Sequence, residues 1–174
     1  MSFFDLLITR RSIRRYTDQK VEPEKIQKIT AAALMSPSSK RSTPWEFVVV
    51  EDPEMLQKLS ECRPHSSELL AKAPLGIVVA ANTARSNVWV VDASIAAIIM
   101  QLEAHDLGLD SCWINVHDRQ KDEDLSSEEY IRGLLNIPEE YGVLCVLSIG
   151  YKAEERKPHI VDELHYEKVH YGKF

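Results

Sequence analysis

Four arginines lie within six residues near the start of the chain, in the segment Arg10–Arg15, and Ser12 adds a hydroxyl group between them. A guanidinium presents a planar fork of N–H donors that matches a phosphate, so several arginines in one short segment can surround one phosphate group. The alternative is a solvated helix end, whose cations pair with acidic side chains elsewhere in the chain. The residue types therefore predict either an anion site or an ordinary basic surface.

The distribution of charge favours a small anionic ligand over a polyanion. Residues 1–20 carry a net charge of +3, although the whole chain of 174 residues carries −6. General nucleic-acid binding needs a broadly basic surface, which this composition does not provide. No apolar run reaches the roughly 18 residues of a membrane span, and the early Arg10 and Arg11 leave no apolar signal core. We therefore expect neither a nucleic acid nor a membrane as a partner.

Two other short segments could border a ligand. The loop Ser36–Pro44 places small hydroxyl residues between two prolines, which gives a rigid backbone that a planar ligand can approach closely. Trp113, Ile114 and Asn115 stand at the end of a predicted strand, where ligand sites often form. The alternatives are an ordinary helix-to-strand connection for the loop and core packing for Trp113.

The sequence shows no arrangement typical of metal binding or of catalysis by side chains. The six histidines, His159 among them, lack metal-ligand spacing, so we expect structural or surface roles and no metal. No serine or cysteine stands in a nucleophile elbow. Cys62, Cys112 and Cys145 are widely spaced and odd in number, which predicts reduced, buried thiols and a cytoplasmic protein.

Hydrophobic periodicity, capping residues and prolines predict the elements that position these segments. The pattern indicates one domain over residues 1–174, α+β or mixed α/β, in which helices flank a sheet and an extended polar tail begins at about residue 151. The long helix is apolar almost all round, so we expect it in the core or in an interface. The first strand is expected to be buried. We predict helices over residues 3–9, 23–35, 54–61, 88–107 and 127–135, and strands over 47–50, 75–81, 111–116 and 143–149.

Together these segments resemble the nitroreductase family of FMN-dependent oxidoreductases, and the resemblance covers nearly the whole chain. It rests on the order and spacing of several motifs rather than on any one of them. The first helix is followed by Arg10-Arg11-Ser12-Ile13-Arg14, and the second is followed by Pro37-Ser38-Ser39 and Pro44-Trp45-Glu46-Phe47. The long helix has Asp92 near its start and Gly108-Leu109-Asp110-Ser111-Cys112-Trp113-Ile114 after its end. The last strand ends with Ile149-Gly150-Tyr151, and the tail contains Tyr166-Glu167-Lys168-Val169-His170-Tyr171.

The resemblance implies a nitroreductase-like fold, which is α+β with a central, mainly antiparallel sheet flanked by helices. It also implies an intertwined homodimer with two FMN sites at the subunit interface, each built from both chains. The family's phosphate and ribityl contacts fall on Arg10, Arg11 and Ser12. Arg14 occupies the position near the pyrimidine edge of the flavin, where a cation should raise the reduction potential.

Other residues are implied to border the flavin ring or to complete the phosphate site. Pro37-Ser38-Ser39 of the partner chain would border the isoalloxazine ring, and the segment Trp113–Asn115 would line it near the reactive N5 atom. Arg156 or Lys157 in the tail would complete the phosphate site.

The implied reaction is a two-step exchange. NADH or NADPH gives a hydride to flavin N5 and leaves, and a small acceptor such as a nitroaromatic or a quinone is then reduced on the same face. The flavin carries the chemistry, so no catalytic side chain is expected. The alternatives are related flavin chemistry, namely enone reduction, reductive dehalogenation or flavin breakdown, and a flavin-binding protein without turnover.

Departures from the family pattern affect the prediction of the substrate pocket more than the prediction of FMN binding. The family often has Asn at the position of Arg41 and Gln at that of Thr43, so Arg41 could contact the phosphate or replace the lost amide. Ile98 and Ile99 stand where a Gln-Asn pair is common. The only candidate for a lid over the flavin is the short acidic segment His117–Ser127.

Overall fold

Five α-helices and four β-strands form the main elements of residues 2–174, the part of the chain that this computed structural model describes. Every helix and strand expected from the sequence is present, and no end differs from its expected position by more than two residues. Short 3-10 turns lie at Ser39–Arg41, Glu68–Lys72, Val161–Glu163 and Tyr166–Lys168. The helices are α1 (Phe3–Thr9), α2 (Pro23–Leu34), α3 (Pro53–Leu59), α4 (Trp89–Asp106) and α5 (Ser127–Leu135), and the strands are β1 (Trp45–Val50), β2 (Leu75–Asn82), β3 (Asp110–Asn115) and β4 (Tyr141–Gly150).

The four strands form one antiparallel sheet in the order β1-β2-β4-β3. This confirms an α+β fold with a central antiparallel sheet flanked by helices. β2 and β4 are buried along nearly their whole length, since each pairs with a strand on both sides. The expectation of a buried first strand is wrong in part. β1 is an edge strand that exposes Glu46 and Val49, because it pairs on one side only.

A hydrophobic core lies on each face of the sheet. Successive side chains of a strand point to opposite faces. Ile77 and Val79 of β2 therefore join the core that contains residues of α2 and α4, whereas Val78 and Ala80 join the core that contains residues of α3 and α5. The sheet is thus covered on both faces, and functional side chains must lie at its edges and ends.

The long helix α4 is a core helix that also carries an uncovered apolar side. Its alanines and Met100 are buried against the sheet. On the outer side, Val91 is 56% exposed and Ile98 is 39% exposed. The neighbouring α1 exposes Phe3 and Phe4 as well. One side of α4 therefore fills the core, and the other side leaves apolar surface for an interface.

Local sequence signals fix several helix ends. Ser2 and Asp5 form a capping box at the start of α1, and Ser126 and Glu129 form another at the start of α5, as predicted. Gly108 follows α4 with a φ of 77° and ends it in the left-handed conformation that glycine adopts without strain.

The acidic segment between β3 and α5 is folded against the protein. Gln120 forms a bridge with Ser126. The His117 ring packs edge-on against the Trp89 ring, with the two centroids 4.8 Å apart. The ring contact holds His117, at the start of the candidate lid, against the first residue of α4, and the bridge closes the segment on itself.

Two sequence expectations concern the chain as a whole. Cys62, Cys112 and Cys145 are free and buried, as predicted. Burial raises the pKa of all three thiols, which keeps them protonated and poorly reactive.

Among residues 2–174, no helix has the length and apolar character needed to cross a membrane.

Candidate functional site

The basic segment Arg10–Arg15 is fixed to the edge strand β3 through its backbone. The Ile13 N–H donates to the Ser111 carbonyl at 3.0 Å, and Ser12 forms a parallel bridge with Ser111. The Gln101 amide of α4 donates to Ser111 Oγ at 3.0 Å, which ties this point to the long helix. The Ile13 side chain is buried, so the segment is anchored between its arginines.

The C-terminal tail runs beside the basic segment and brings further basic side chains to it. The Ala153 N–H donates to the Arg15 carbonyl at 2.8 Å, and the His159 N–H donates to the Ile8 carbonyl at 2.9 Å. The chain between these two bonds contains Arg156. The backbone of the tail is therefore attached on both sides of the residues that could contribute to a site.

A cavity of about 340 Å³ opens where the tail meets the basic segment. Every side chain that lines it can donate a hydrogen bond, and none is a carboxylate. A phosphate group offers three terminal oxygens that accept such bonds, so this donor set suits a phosphate. The geometry favours an anion site over a solvated helix end. The lining residues are Arg10, Arg11, Ser12, Arg14, Arg156 and His159.

The tail itself engages two of the lining side chains. The Arg11 guanidinium donates to the Lys157 carbonyl, and Arg156 pairs with Glu154 at 3.0 Å. Lys157 therefore contributes its backbone, while its ammonium group is exposed and lies outside the cavity lining. Glu154 also accepts the Arg14 N–H at 2.7 Å. This N–H, followed by the Arg156 charge, holds the pKa of the Glu154 carboxyl below its usual value.

Three other side chains on the cavity lining have hydrogen-bond donors that no protein group occupies. Within residues 2–174, the side chains of Arg10, Arg14 and His159 make no hydrogen bond or ion pair with the protein. The salt bridges that a merely structural basic surface would require are thus absent for Arg10 and Arg14. His159 is among the histidines that the sequence places at the surface. Its place on the cavity follows from the path of the tail, for which the adjacent basic residues Arg156 and Lys157 are the only sequence signal.

The loop over residues 36–44 is held to the start of α4 by Asp92, whose side chain is almost fully buried. The Asp92 carboxylate accepts the Ser39 N–H at 2.8 Å and the Ser86 hydroxyl at 2.7 Å. The Ser42 hydroxyl lies 3.5 Å from the same carboxylate. A buried carboxylate with several donors fixes the loop backbone in one arrangement.

Three non-glycine residues of this loop adopt the left-handed backbone conformation. The φ angles are 51° at Lys40, 57° at Arg41 and 40° at Thr43. Such angles are unfavourable for a β-branched residue such as Thr43. The Thr43 N–H donates to Ser38 Oγ at 3.0 Å, which helps to hold this conformation. Strain that the surrounding contacts maintain is common at ligand-binding segments.

The loop and the basic segment lie at opposite ends of α4. Asp92 near the start of the helix binds the loop, whereas His105 near its end contacts Thr9 Oγ1 through Nε2 at 2.9 Å. At 1.5 Å per residue, the 13 or so residues from Asp92 to His105 span about 20 Å. The two segments also flank opposite edges of the sheet, since the loop leads into β1 and the basic segment lies along β3. A single chain therefore does not bring them together.

The segment Trp113–Asn115 contributes to both faces of the sheet. Trp113 is half-buried beside the core that includes α4, and its indole N–H donates to Asn115 Oδ1 at 3.4 Å. The Asn115 amide donates in turn to the His117 carbonyl at 2.8 Å. Ile114 points to the other face and is 1% exposed within the second core. A ligand on the α4 side could therefore meet the side chains of Trp113 and Asn115 but only the backbone of Ile114.

One group of potential metal ligands converges within residues 2–174, although sequence spacing does not indicate it. The ligand atoms of His117, Asp118 and Glu128 lie within 4.8 Å of one another. His117 Nδ1 lies 2.8 Å from Glu128, and its Nε2 lies 3.4 Å from Asp118. Glu128 also accepts the Val143 N–H at 3.0 Å. These contacts engage both nitrogens of the ring and attach the acidic segment to β4.

Comparison with known proteins shows similarity along the whole chain. The sequence profile of the Nitroreductase family matches residues 7–63 and 55–151. A protein of Archaeoglobus fulgidus, provisionally named NADH dehydrogenase/NAD(P)H nitroreductase, is 36% identical over 174 residues, which cover 97% of each chain. The structure of an FMN-dependent nitroreductase from Clostridium difficile R20291 matches with a TM-score of 0.97 and 48% identity, over 98% of this chain and 99% of that one.

A shorter similarity reaches a protein that is named as a deiodinase. Iodotyrosine deiodinase 1 of Rattus norvegicus is 40% identical over 67 residues, which cover 38% of this chain and 24% of that protein. The similarity is therefore local, whereas the two relatives above match from end to end.

Proposed function

This chain belongs to the nitroreductase family of oxidoreductases, and we propose that it is an FMN-dependent enzyme that transfers hydride from NADH or NADPH to a small electron acceptor. The observation that carries this proposal is the cavity of about 340 Å³ between the basic segment and the tail, in which every lining side chain can donate a hydrogen bond and none is a carboxylate. Its chemistry fits the phosphate of FMN, and the whole-chain similarity to an FMN-dependent nitroreductase supports the same cofactor.

The cavity residues would bind and orient the cofactor. Arg10, Arg11, Ser12 and Arg156 supply donors for the phosphate and the adjoining ribityl chain. Arg14 has a free guanidinium on the same cavity, where its charge would stabilise the negative charge that a flavin gains on reduction and so favour that reduction. FMN, when bound, supplies the redox chemistry, since its N5 atom accepts a hydride from NAD(P)H and passes two electrons on to an acceptor.

A homodimer would supply the rest of the site. The loop with Pro37, Ser38 and Ser39 is held at the start of α4 and leads into β1, whereas the basic segment lies along β3 at the opposite edge of the sheet. Its contact with the flavin ring is therefore assigned to the partner subunit. Arg41, exposed on the same loop, would then lie beside a flavin of the partner. The uncovered apolar side chains support the association of two chains. They include Phe3, Phe4, Leu34, Met35, Val91, Ile98, Ile160, Leu164 and Val169.

Trp113 and Asn115 are proposed to shape the reactive face of the flavin. Their side chains lie on the same side of β3 and are joined by a hydrogen bond, which keeps them in a fixed relation. Neither is a strong acid or base, in keeping with a reaction in which the flavin carries the hydride. The three buried free cysteines suit a reducing compartment, so we include a cytoplasmic location in the proposal.

The acceptor is proposed to be a small nitroaromatic or a quinone. Reductive dehalogenation is a second candidate, because the local similarity to iodotyrosine deiodinase covers 38% of the chain. An acceptor comparison on the reduced enzyme separates the two. Faster oxidation by a nitroaromatic or a quinone than by iodotyrosine supports the first proposal, and the reverse order supports the second.

The whole proposal is tested by anaerobic stopped-flow spectroscopy on the protein purified with added FMN. We expect NADH or NADPH to bleach the visible flavin absorbance and a nitroaromatic to restore it. A protein that does not bind FMN would contradict the proposed cofactor. A protein that binds FMN but is reduced by neither nucleotide would instead be a flavin-binding protein without this activity.

A further inference from the structure

We propose that His159 is a ligand of the phosphate of FMN and that, with Arg156, it completes the phosphate site from the tail. This inference rests on the proposed FMN-binding function and goes beyond it by naming a residue that discriminates phosphorylated from unphosphorylated flavin. The sequence expectation named Arg156 or Lys157 as the tail residue at the phosphate, and this proposal keeps Arg156 and adds His159.

The position of His159 is set by its own backbone. Its N–H donates to the Ile8 carbonyl at 2.9 Å, near the end of α1 and two residues before Arg10. The imidazole then lines the same cavity as Arg10 and Ser12. Lys157 lies between Arg156 and this anchor, but its carbonyl is engaged by Arg11 and its ammonium group is not on the cavity.

The inventory of donors also favours a role for His159. Arg11 already donates to the Lys157 carbonyl, and Arg156 already pairs with Glu154, so each has fewer N–H donors left for a ligand. The imidazole of His159 has no partner within residues 2–174. A phosphate monoester has three terminal oxygens with several acceptor sites, and a histidine offers one N–H donor when neutral and two when protonated. The free imidazole therefore adds a donor to a site that needs several.

The ligand chemistry is a terminal phosphate monoester, which FMN shares with the 2′-phosphate of NADPH. We assign the site to FMN because the same cavity carries the arginines that follow α1 and no carboxylate, which suits a tightly held resident anion. Riboflavin presents the same ring and ribityl chain without the phosphate. The ratio of FMN to riboflavin affinity therefore isolates the phosphate contact from every other contact with the flavin.

The test measures the dissociation constants of FMN and riboflavin by quenching of flavin fluorescence, for the wild type, His159→Ala and His159→Lys. We expect His159→Ala to weaken FMN binding about 5- to 50-fold and to change riboflavin binding less than about twofold. His159→Lys should recover most of the FMN affinity, because the ammonium group donates to the same oxygens. His165→Ala is the matched control, since His165 lies in the same tail and pairs only with Glu167. It should behave as the wild type.

Several outcomes would overturn the inference. An unchanged FMN-to-riboflavin ratio in His159→Ala would remove the phosphate contact, and an equal loss for both flavins would make His159 a structural residue. A raised KM for NADPH with unchanged FMN affinity would assign the side chain to the nucleotide donor. A wild-type protein that binds neither flavin would reject the proposed function itself, which is distinguishable from failure at His159 alone.

Discussion

Arg10 is a side chain whose hydrogen-bond donors are unoccupied in the protein and are proposed to bind a ligand. Its guanidinium lines the cavity between the basic segment and the tail and has no partner within residues 2–174, while the backbone of its segment is fixed by the Ile13–Ser111 hydrogen bond. Because the backbone is already held, binding of an anion orders only the Arg10 side chain, and no existing hydrogen bond or ion pair of that side chain has to break. The proposed phosphate contact should therefore carry much of its full value.

We predict that Arg10→Ala weakens FMN binding by about 1.5–3 kcal/mol, which is the usual value of a hydrogen bond to a charged group. Arg15→Ala is the matched control, because Arg15 belongs to the same segment but does not line the cavity. Titration of each variant with FMN, followed by fluorescence quenching, gives the comparison. An Arg10→Ala protein with wild-type affinity would remove Arg10 from the phosphate site.

At the scale of single residues, the sequence indicates which side chains could bind a ligand, but it does not indicate which of them meet in the folded protein. The residue types at Arg10, Arg11 and Ser12 left both an anion site and an ordinary basic surface open, and the family resemblance implied a shared phosphate site. These three side chains do line one cavity. His159 could not be assigned in this way, because its place depends on a backbone bond to a residue far away in the chain. Ile114 was predicted to line the flavin ring from its place in a family motif, but the motif does not indicate that its side chain is buried in a core.

At the scale of elements, α4 connects the two halves of the proposed site. Asp92 at its start binds the strained loop, and Gln101 towards its end binds Ser111 beside the basic segment. The buried carboxylate of Asp92 has Ser39 and Ser86 as donors, so its loss would leave buried polar groups without partners. The helix thus sets both the position of the loop and the conformation that the loop maintains.

We predict that Asp92→Ala lowers the free energy of unfolding by about 2–4 kcal/mol, because the buried Ser86 hydroxyl and the part-buried Ser39 N–H lose their acceptor. It should also weaken FMN binding through the released loop. Asp106→Ala is the control, since Asp106 is exposed at the other end of α4 and should change stability much less. Chemical denaturation measures both variants. Equal stability of Asp92→Ala and the wild type would show that the loop does not depend on this anchor.

The attachment of the tail should depend on pH through Glu154. The Arg14 N–H lowers the pKa of this carboxyl in the folded protein, so the carboxylate stabilises the fold above the ordinary pKa of a glutamate. This contribution is lost as the pH falls through the lower folded value. We therefore predict that Glu154→Gln lowers stability by about 1 kcal/mol at neutral pH and that the difference from the wild type disappears in strongly acidic solution.

Thermal unfolding of the FMN-free protein across pH checks this prediction. Glu155→Gln is the matched control, because Glu155 is exposed and pairs with Lys152 at 3.0 Å on the surface, where ion pairs contribute little. A difference between Glu154→Gln and the wild type that persists unchanged at acidic pH would contradict the assigned role of the carboxylate.

The elements themselves were largely predictable because their signals are local. The capping boxes at Ser2 and Ser126 and the glycine after α4 mark helix ends through contacts of a few residues. The exposure of β1 was not predictable from Phe47–Val50, since an apolar run does not state how many strands will pair with it. Strand order is a long-range property that no short motif encodes.

At the scale of the whole molecule, one chain contains both segments of the proposed site without bringing them together. The cavity at the end of α1 and the strained loop before β1 lie towards opposite ends of α4, and they flank opposite edges of the sheet. The outer side of α4 and the exposed phenylalanines of α1 leave apolar surface that a second chain can cover. We therefore propose that two chains share each FMN site.

Complementation between two defective chains tests this shared site most directly. Arg10→Ala impairs the cavity, and Ser39→Trp places a large side chain in the loop. Two differently tagged chains carrying one change each can be co-expressed and the heterodimer purified through both tags. A site built from the cavity of one chain and the loop of the other leaves one wild-type site in that heterodimer.

The measurement is the amount of FMN bound to the purified heterodimer, compared with each variant homodimer. The account predicts about one tightly bound FMN per heterodimer, since a two-fold dimer contains each inter-chain site twice, and little FMN in either homodimer. A heterodimer that forms but binds no more FMN than the two homodimers would contradict it, because every site would then lie within a single chain.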